Sequence, residues 1–482
     1  MDGVRKAIGK QMSTDTSFSA TTRPRPKLGS RVWLPFISTS FATNVWLFAL
    51  LWPLWWGLGI DQLLLPFFIF VEFIRLLIRS RWQVRLNGAA MIALALAIWW
   101  LAPTLWVDPE MRLIFLKEAT SIWTQFLILV LFWNCVHTRA EWHKIVGALS
   151  LIALYHVVAS ALFLSGIWRG TFVSLLGRFI PASQINASAF FSSISYRSFG
   201  EVASSDNVGL LSIRLNGFTL SYSALSMVCL LLLPLMLWRF QTTRGWTRLL
   251  HLGLMLGLTV ALVFTESRIA YAALAAATLF YALLWLYHRR SNRPLMVALA
   301  LVATAVGLVV LFLVLSVIID WVQRVFIDLR PGSWLVRAYI YAQTLALLPE
   351  HWIAGWGTSV RIPNLPNEYA AGTHSSYLGM LFQHGVVGLA LYVALWAAVW
   401  LPVLRGYNTP RARYGLTGFC MAVATAFFAF NVREVADSWW WDQSLGFVLW
   451  VLWGLALTAA RVFAEPAVDR RRDETPVDSS TP

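Results

Sequence analysis

Cysteine is almost absent from this chain: 482 residues contain three, Cys135, Cys229 and Cys420. All lie in or beside apolar segments without CxxC spacing, which supports neither a disulfide framework nor a zinc site. Charge is scarce as well, at 13% of residues, and acidic groups are the scarcest, with 23 Asp and Glu against 38 Lys and Arg. There is no P-loop, no HExxH and no DxD pair in a loop, so the usual machinery for nucleotide-sugars and metals is missing and no cofactor is expected. The first forty residues have no apolar core ahead of a small-residue cleavage site, so they read as a polar tail and not as a cleaved signal peptide.

What is present is apolar surface. Hydrophobic residues make up 58% of the chain and the mean hydropathy is +0.64, more than a soluble protein of this length can bury, so lipid must solvate part of it. The 27 tryptophans fit a chain that repeatedly crosses the boundary between headgroups and hydrocarbon. The formal net charge of +15 is carried by short loops between apolar runs, a pattern that signals topology and lipid-headgroup contact, and not nucleic acid.

A spanning helix needs about 20 mostly apolar residues. Candidates fall near 41–59, 61–79, 87–106, 116–136, 145–167, 218–238, 249–266, 269–287, 295–318, 376–403, 415–432 and 443–463, about twelve in all. Glu72, Arg75, Lys117 and Glu118 are expected at or near the edges of theirs. Basic residues mark the N-terminal tail and then every second loop: Arg79/Arg81/Arg85, Arg139/Lys144, Arg239/Arg244/Arg248, Arg289/Arg290/Arg293, Arg405/Arg411/Arg413 and Arg470–Arg472. By the positive-inside rule both termini are cytoplasmic. The domain reading is a basic cytoplasmic tail over 1–40, a polytopic membrane domain over 41–463 and a polar cytoplasmic tail over 464–482. Two long loops, about 168–217 and 319–375, then face outward. Within the second, segment 334–349 sets Leu335, Tyr339, Ala342 and Ala346 on one face, with Ala338 and Leu345 flanking, as an interfacial helix would.

Ionisable groups gather at the outward helix ends, although outer loops should be poor in arginine. Arg214 opens the sixth span, Arg268 lies in the hairpin between the seventh and eighth, His374 stands where the second loop re-enters the membrane, and Arg433, Glu434 and Asp437 lie between the last two spans. Each has a plain reading: an arginine outside a span reaches a headgroup phosphate, a histidine at a helix start caps it, Glu434 and Asp437 pair with Arg433, and Trp439–Trp441 anchor the interface. Taken together they fit an anionic substrate. Guanidinium groups fork onto phosphate oxygens with permanent charge, and a histidine accepts a proton from, or orients, an attacking hydroxyl.

Four stretches, RLNGFTLSYSALSM, TESRIAYAALAAATL, RAYIYAQTLALLPEHWIAGWG and THSSYLGMLFQHGVVGLALY, follow one another between about 205 and 400. In that order, with the Gly-Trp-Gly before the histidine, they resemble the O-antigen ligase and bacterial polysaccharide polymerase family of integral membrane glycosyltransferases. The resemblance implies an all-α integral membrane fold, GT-C-like, with about twelve helices and two large extracytoplasmic loops, in the bacterial inner membrane. By resemblance Arg214 and Arg268 match diphosphate-binding arginines, His374 the histidine of the HxxYL segment and Arg337 the arginine opening the loop helix, while Asp437 matches an acidic residue between the last spans. Arg433 joins them as a substrate-binding candidate. The chain departs from the pattern at Ser375, where the family often has Asn.

The implied reaction is inverting transfer of a glycan from undecaprenyl diphosphate to a hydroxyl of a glycan or lipid-linked acceptor, within membrane lipid and alongside other polysaccharide assembly proteins. No lipopolysaccharide core is specified, so polymerase or exopolysaccharide assembly stands ahead of ligation to lipid A-core. A transporter or flippase of an anionic lipid-linked substrate is the alternative, but it should place charge or broken helices near the midplane, and the spans read as almost free of charge there. A scaffold without catalysis is the third reading.

Overall fold

A computed structural model describes residues 39–107, 112–187, 189–202, 213–289, 331–362, 370–407, 414–437 and 443–464. Nearly all of both tails, the expected span at 295–318 and Trp439–Trp441 lie outside the described residues. The helices are α1 (Phe41–Leu50), α2 (Trp52–Leu58), α3 (Asp61–Ser80), α4 (Gly88–Leu101), α5 (Arg112–Cys135) and α6 (Arg139–Leu164). After the first loop come α9 (Tyr222–Thr242), α10 (Trp246–Val263) and α11 (Arg268–Arg289). The second loop holds α12 (Pro331–Leu347), and α13 (Ser376–Tyr407), α14 (Tyr414–Glu434) and α15 (Gln443–Ala464) complete the bundle. Two short helices, α7 (Ala182–Ala187) and α8 (Ala189–Ser195), belong to the first loop.

Among the described residues eight helices are long and apolar enough to cross a membrane, and α1 with α2, bent by 55°, adds a ninth if the pair is one span. The protein is therefore a multi-pass helical membrane protein. Pro53 follows the bend, where its missing N–H suits the first turn of a new helix. Side-chain caps start four other helices: Ser40, Asn87 and Ser221 accept from the third residue on, and Thr138 forms a reciprocal capping box with Glu141. Helices α3 and α5 are long but more polar. In α5 the polar side chains Ser121, Thr124 and Gln125 are buried, turned towards protein and away from lipid. Glu72 and Arg75 do not lie at an edge as the sequence suggested. They pair inside α3, both buried, and Asn44 of α1 donates to Glu72 at 2.8 Å. Mutual neutralisation is what allows them there.

Helices α9, α14 and α15 form the centre; on α9 every residue from Ala224 to Met236 is buried. Helices α10 and α11 turn large side chains such as Leu256, Leu279 and Leu283 outward, an arrangement that suits lipid as solvent. Both loops cover one end of the bundle. The first carries β1 (Phe172–Val173) paired with β2 (Tyr196–Arg197), and β3 (Gly200–Val202) paired with β4 (Ile213–Leu215), all antiparallel. It is seated by Trp56, whose ring stacks on Phe199 at 5.1 Å and meets Phe218 at 5.0 Å, and by an ion pair between Arg197 and Asp61. The second pairs β5 (Val360–Arg361) with β6 (Ala370–Ala371) and packs Ile340, Ile362, Ala371 and Phe382 into a small core of its own. Helix α12 forms as expected. Leu335, Tyr339, Ala342 and Ala346 are exposed, while Ile340 and Thr344 face inward.

The second loop is fastened to a break in α13. Gly385 has φ 67° and ψ −172°, so the helix stops and restarts there. The carbonyls this frees are all taken: Phe382 by the Trp356 amide at 2.9 Å, Gln383 by Gly357 at 2.7 Å, and His384 by the indole N–H of Trp99 at 2.9 Å. In return the Val386 amide donates to Trp352. The Gly-Trp-Gly segment is thus a backbone clasp. A Cβ on Gly385 would lie 2.0 Å from the Ile353 carbonyl oxygen, in a conformation that already disfavours L side chains. We expect Gly385→Ala to destabilise the purified protein by about 2 kcal/mol or more, seen as a lower unfolding temperature in detergent. Gly253→Ala in α10, where a Cβ meets nothing within 4 Å, should be neutral or gain up to about 1 kcal/mol. Equal melting of Gly385→Ala and wild type would show the clasp to be dispensable.

Candidate functional site

Two polar groups sit at the loop-covered end, and the first turn of α9 joins them. Arg214 lies on β4 in register with Glu201 of β3. The strand is tied to the α10–α11 turn by the Leu215 amide, which donates to Phe264 at 3.0 Å. That turn presents Glu266 in left-handed backbone, φ 50°, and its carboxylate accepts from Arg214 Nε at 3.3 Å. The Arg214 guanidinium also stands 4.8 Å from the centre of the Tyr222 ring. Arg268 follows two residues after Glu266 and opens α11, half-buried. One short turn therefore carries both Glu266, which holds Arg214, and Arg268.

The second group centres on Arg433, at the end of α14. Its side chain is fully buried, and its nitrogens donate to Ser226 Oγ at 3.3 Å, Glu434 Oε1 at 2.9 Å, Ser223 Oγ at 2.6 Å and Asp437 Oδ2 at 2.8 Å. Ser223 also donates to Asp437. Ser376, opening α13, donates its hydroxyl to Glu434 and its amide to the Asp437 carbonyl. So α9, α13 and α14 meet at one guanidinium. Glu434 and Asp437 pair with Arg433 as the plain reading had it.

His374 lies just before α13 with φ 61°, one of four non-glycine residues with positive φ among the described residues. Tyr341 of α12 donates to the His374 carbonyl at 2.7 Å, and Thr344 Oγ1 accepts from the Gly372 amide at 2.9 Å, pinning this strained turn to the loop helix. Ser375, in place of the Asn often found there in the resembling family, accepts from the Leu378 amide at 3.3 Å. Serine and asparagine cap helices about equally well, so the departure preserves the start of α13. Burial holds His374 below the ordinary imidazole range, the Arg337 charge pushes the same way, and Asp437 opposes it. Burial raises the Tyr341 hydroxyl, with Arg337 acting against it and Asp437 with it. Arg337, Tyr341, His374 and Asp437 thus feel one another's charge. Arg337 and Tyr341 share a face of α12, four residues apart.

Tyr341, Glu266 and Ser223 have structural parts that sequence reasoning did not assign. The first had a signal, its four-residue spacing from Arg337; the others become visible only once β4 and α14 are packed against their neighbours. Among the described residues no three His, Cys, Asp or Glu side chains converge as a metal-holding group. Below the Arg214 group, α9, α10, α11 and α14 form a half-open apolar cavity of about 310 Å3, lined by Leu230, Met255, Leu274 and Ala429 among others. Leu274 is six residues on from Arg268, roughly 9 Å along α11.

Residues 252–393 match the family model described as O-antigen ligase. The match spans α10 to the first half of α13, so it contains Arg268, Arg337 and His374 and stops short of Arg433 and Asp437, while Arg214 precedes it. No curated protein matches the chain.

Breaking the Arg433 node should be costly. Arg433→Leu leaves Glu434 and Asp437 buried without their counter-charge, and we expect a loss of roughly 3–5 kcal/mol in detergent unfolding. Arg433→Leu combined with Asp437→Asn should recover part of that loss. Additive losses would show that the pair is not coupled.

Proposed function

We propose that the chain, whose residues 252–393 match the family model described as O-antigen ligase, transfers a glycan from undecaprenyl diphosphate to a sugar hydroxyl. The observation that supports this reading is the Glu266 turn, which holds Arg214 and carries Arg268 two residues on, above an apolar cavity, with a neutral imidazole at the same end of the bundle. In the proposal the two guanidiniums fork onto the diphosphate and the polyprenyl tail enters the cavity. Glu266 holds Arg214 until the diphosphate replaces it.

The acceptor oxygen attacks the anomeric carbon as the bond from that carbon to the phosphate oxygen breaks. Undecaprenyl diphosphate leaves with the bonding electrons, its growing charge met by the arginines, and the anomeric centre inverts. The hydroxyl proton passes to His374, which stands ready because burial and Arg337 keep it unprotonated at neutral pH. Arg337 and Asp437 are proposed to contact substrate and set the charge around the imidazole; Arg433 positions Asp437 through their ion pair. The loop-covered end faces outward from the bacterial inner membrane, and both termini are cytoplasmic. The acceptor is another lipid-linked repeat; ligation to lipid A-core is the alternative. The break at Gly385 is a feature that a transporter could use, but the clasp takes its carbonyls, which favours chemistry at the loop-covered end over translocation.

Arg214→Lys, Arg268→Lys and His374→Ala should each lower transfer at least 100-fold with unchanged membrane abundance, measured on purified protein with extracted lipid-linked glycan. Near-normal transfer in all three removes the assignment. In a deletion strain, single lipid-linked repeats indicate a lost polymerase and long lipid-linked chains a lost ligase. Protonating His374 should switch transfer off, so the acidic limb of the pH profile should fall below the ordinary histidine range. Removing the Arg337 charge makes the imidazolium easier to form, so Arg337→Leu should move that limb to higher pH. An unmoved limb would show that His374 does not govern it.

A further inference from the structure

Beside Arg214 the first loop encloses a second, polar cavity of about 220 Å3, whose lining includes Thr171, Tyr196, Arg197, Glu201, Asn216 and Thr219. The β3–β4 ladder connects it to the Arg214 group. Glu201 is the cross-strand partner of Arg214, so the two Cα atoms stand about 5 Å apart with side chains on one face, and Asn216 follows two residues later. Asn216 Nδ2 donates to Glu201 at 3.0 Å, which fixes that wall.

Arg197 is 1% exposed and Asn216 4%. One Arg197 nitrogen donates to Asp61, and its guanidinium lies 5.6 Å from the Trp56 ring centre. Its Nε and Nη1, however, have no hydrogen-bond partner among the described residues, and neither has Asn216 Oδ1. Buried donors and acceptors are costly to leave unmade. Arg197 and Asn216 both line the same polar cavity, with the half-exposed Tyr196 ring at its edge.

We infer that this cavity is a binding subsite for a single neutral sugar residue, formed by Arg197 and Asn216 beside the Arg214 site. A hydroxyl both donates and accepts, so vicinal hydroxyls can satisfy Arg197 and Asn216 at once. An acidic residue would suit it less, because Asp61 already opposes Arg197 and Glu201 lines the wall. The volume lies below the roughly 300–1,000 Å3 of sites for drug-sized ligands, so it takes one ring and not a chain. The inference rests on the glycan-transfer reading of Arg214. The ring can come from the donor glycan next to its diphosphate or from the acceptor.

The test uses the full-length protein in detergent and three probes. These are undecaprenyl diphosphate, the oligosaccharide freed by mild acid from lipid-linked glycan of a deletion strain, and core oligosaccharide freed from lipopolysaccharide. Binding is measured by calorimetry and by saturation-transfer NMR. We expect one of the two oligosaccharides to bind wild type, with affinity at least tenfold weaker in Asn216→Ala. Thr171→Trp, on the exposed rim and therefore tolerant of substitution, should block it as well. Both variants should bind undecaprenyl diphosphate like wild type, and Arg214→Ala should not. Binding of the core oligosaccharide assigns the ring to a lipid A-core acceptor, and binding of the other assigns it to the lipid-linked repeat, which is donor and acceptor alike in a polymerase. Oligosaccharide binding by neither probe, or unchanged binding in both cavity variants, overturns the subsite. Undecaprenyl diphosphate binding that ignores Arg214→Ala overturns the donor reading instead.

Discussion

A guanidinium sealed among helices constrains everything around it, because its charge cannot be titrated away and must be matched where it stands. Arg433 is that group here. Its donors end on Ser223 and Ser226 of α9 and on Glu434 and Asp437 at the end of α14, while Ser376 brings the start of α13 to the same two acidic residues. These contacts fix the relative heights of three helix ends. The two groups of candidate residues are mounted on those ends: His374 directly before α13, and Arg214 against Tyr222, next to Ser223. If Arg433 moved, both groups would shift with it.

The second constraint is the bilayer's intolerance of open backbone. Helix α13 breaks at Gly385, and a break inside a span exposes carbonyls that lipid cannot satisfy. Residues 352–357 of the loop and Trp99 of α4 supply the missing partners. The same contacts hold the loop helix α12 over the end of the bundle, where Tyr341 and Thr344 grip the turn that carries His374. One local defect thus positions a loop, and the loop positions the imidazole in a backbone conformation it would not choose alone.

Much of this was legible in the residues. Apolar length and alternating basic loops identified a polytopic helical protein, because those signals come from the solvent on each side and need no packing information. The outer-end arginines and His374 stood out by the same logic. The α12 helix was readable from its periodicity, but its small inward core with β5 and β6 was not. Glu72 and Arg75 were misplaced at an edge because pairing with each other and with Asn44 cannot be seen along one chain. Glu266 gives no signal of its role within TESRIAYAALAAATL, since its partner Arg214 is 52 residues away. The Gly-Trp-Gly segment could be noticed as a pattern, whereas its reason, a broken helix nearby, is purely tertiary.

Three arginines at this end of the protein are not bare. Arg214 has Glu266, Arg433 has Glu434 and Asp437, and Arg197 has Asp61. An anion that binds here must therefore exchange with a carboxylate and not merely fill a vacancy. That distinction matters in a membrane, where phosphate headgroups are abundant and would occupy any open guanidinium. A diphosphate carries more charge than a single headgroup phosphate and can engage Arg214 and Arg268 together. It can displace Glu266 where a lone phosphate gains too little to do so. In the proposed reaction, then, the internal ion pair is what distinguishes the activated donor from the lipid that surrounds it.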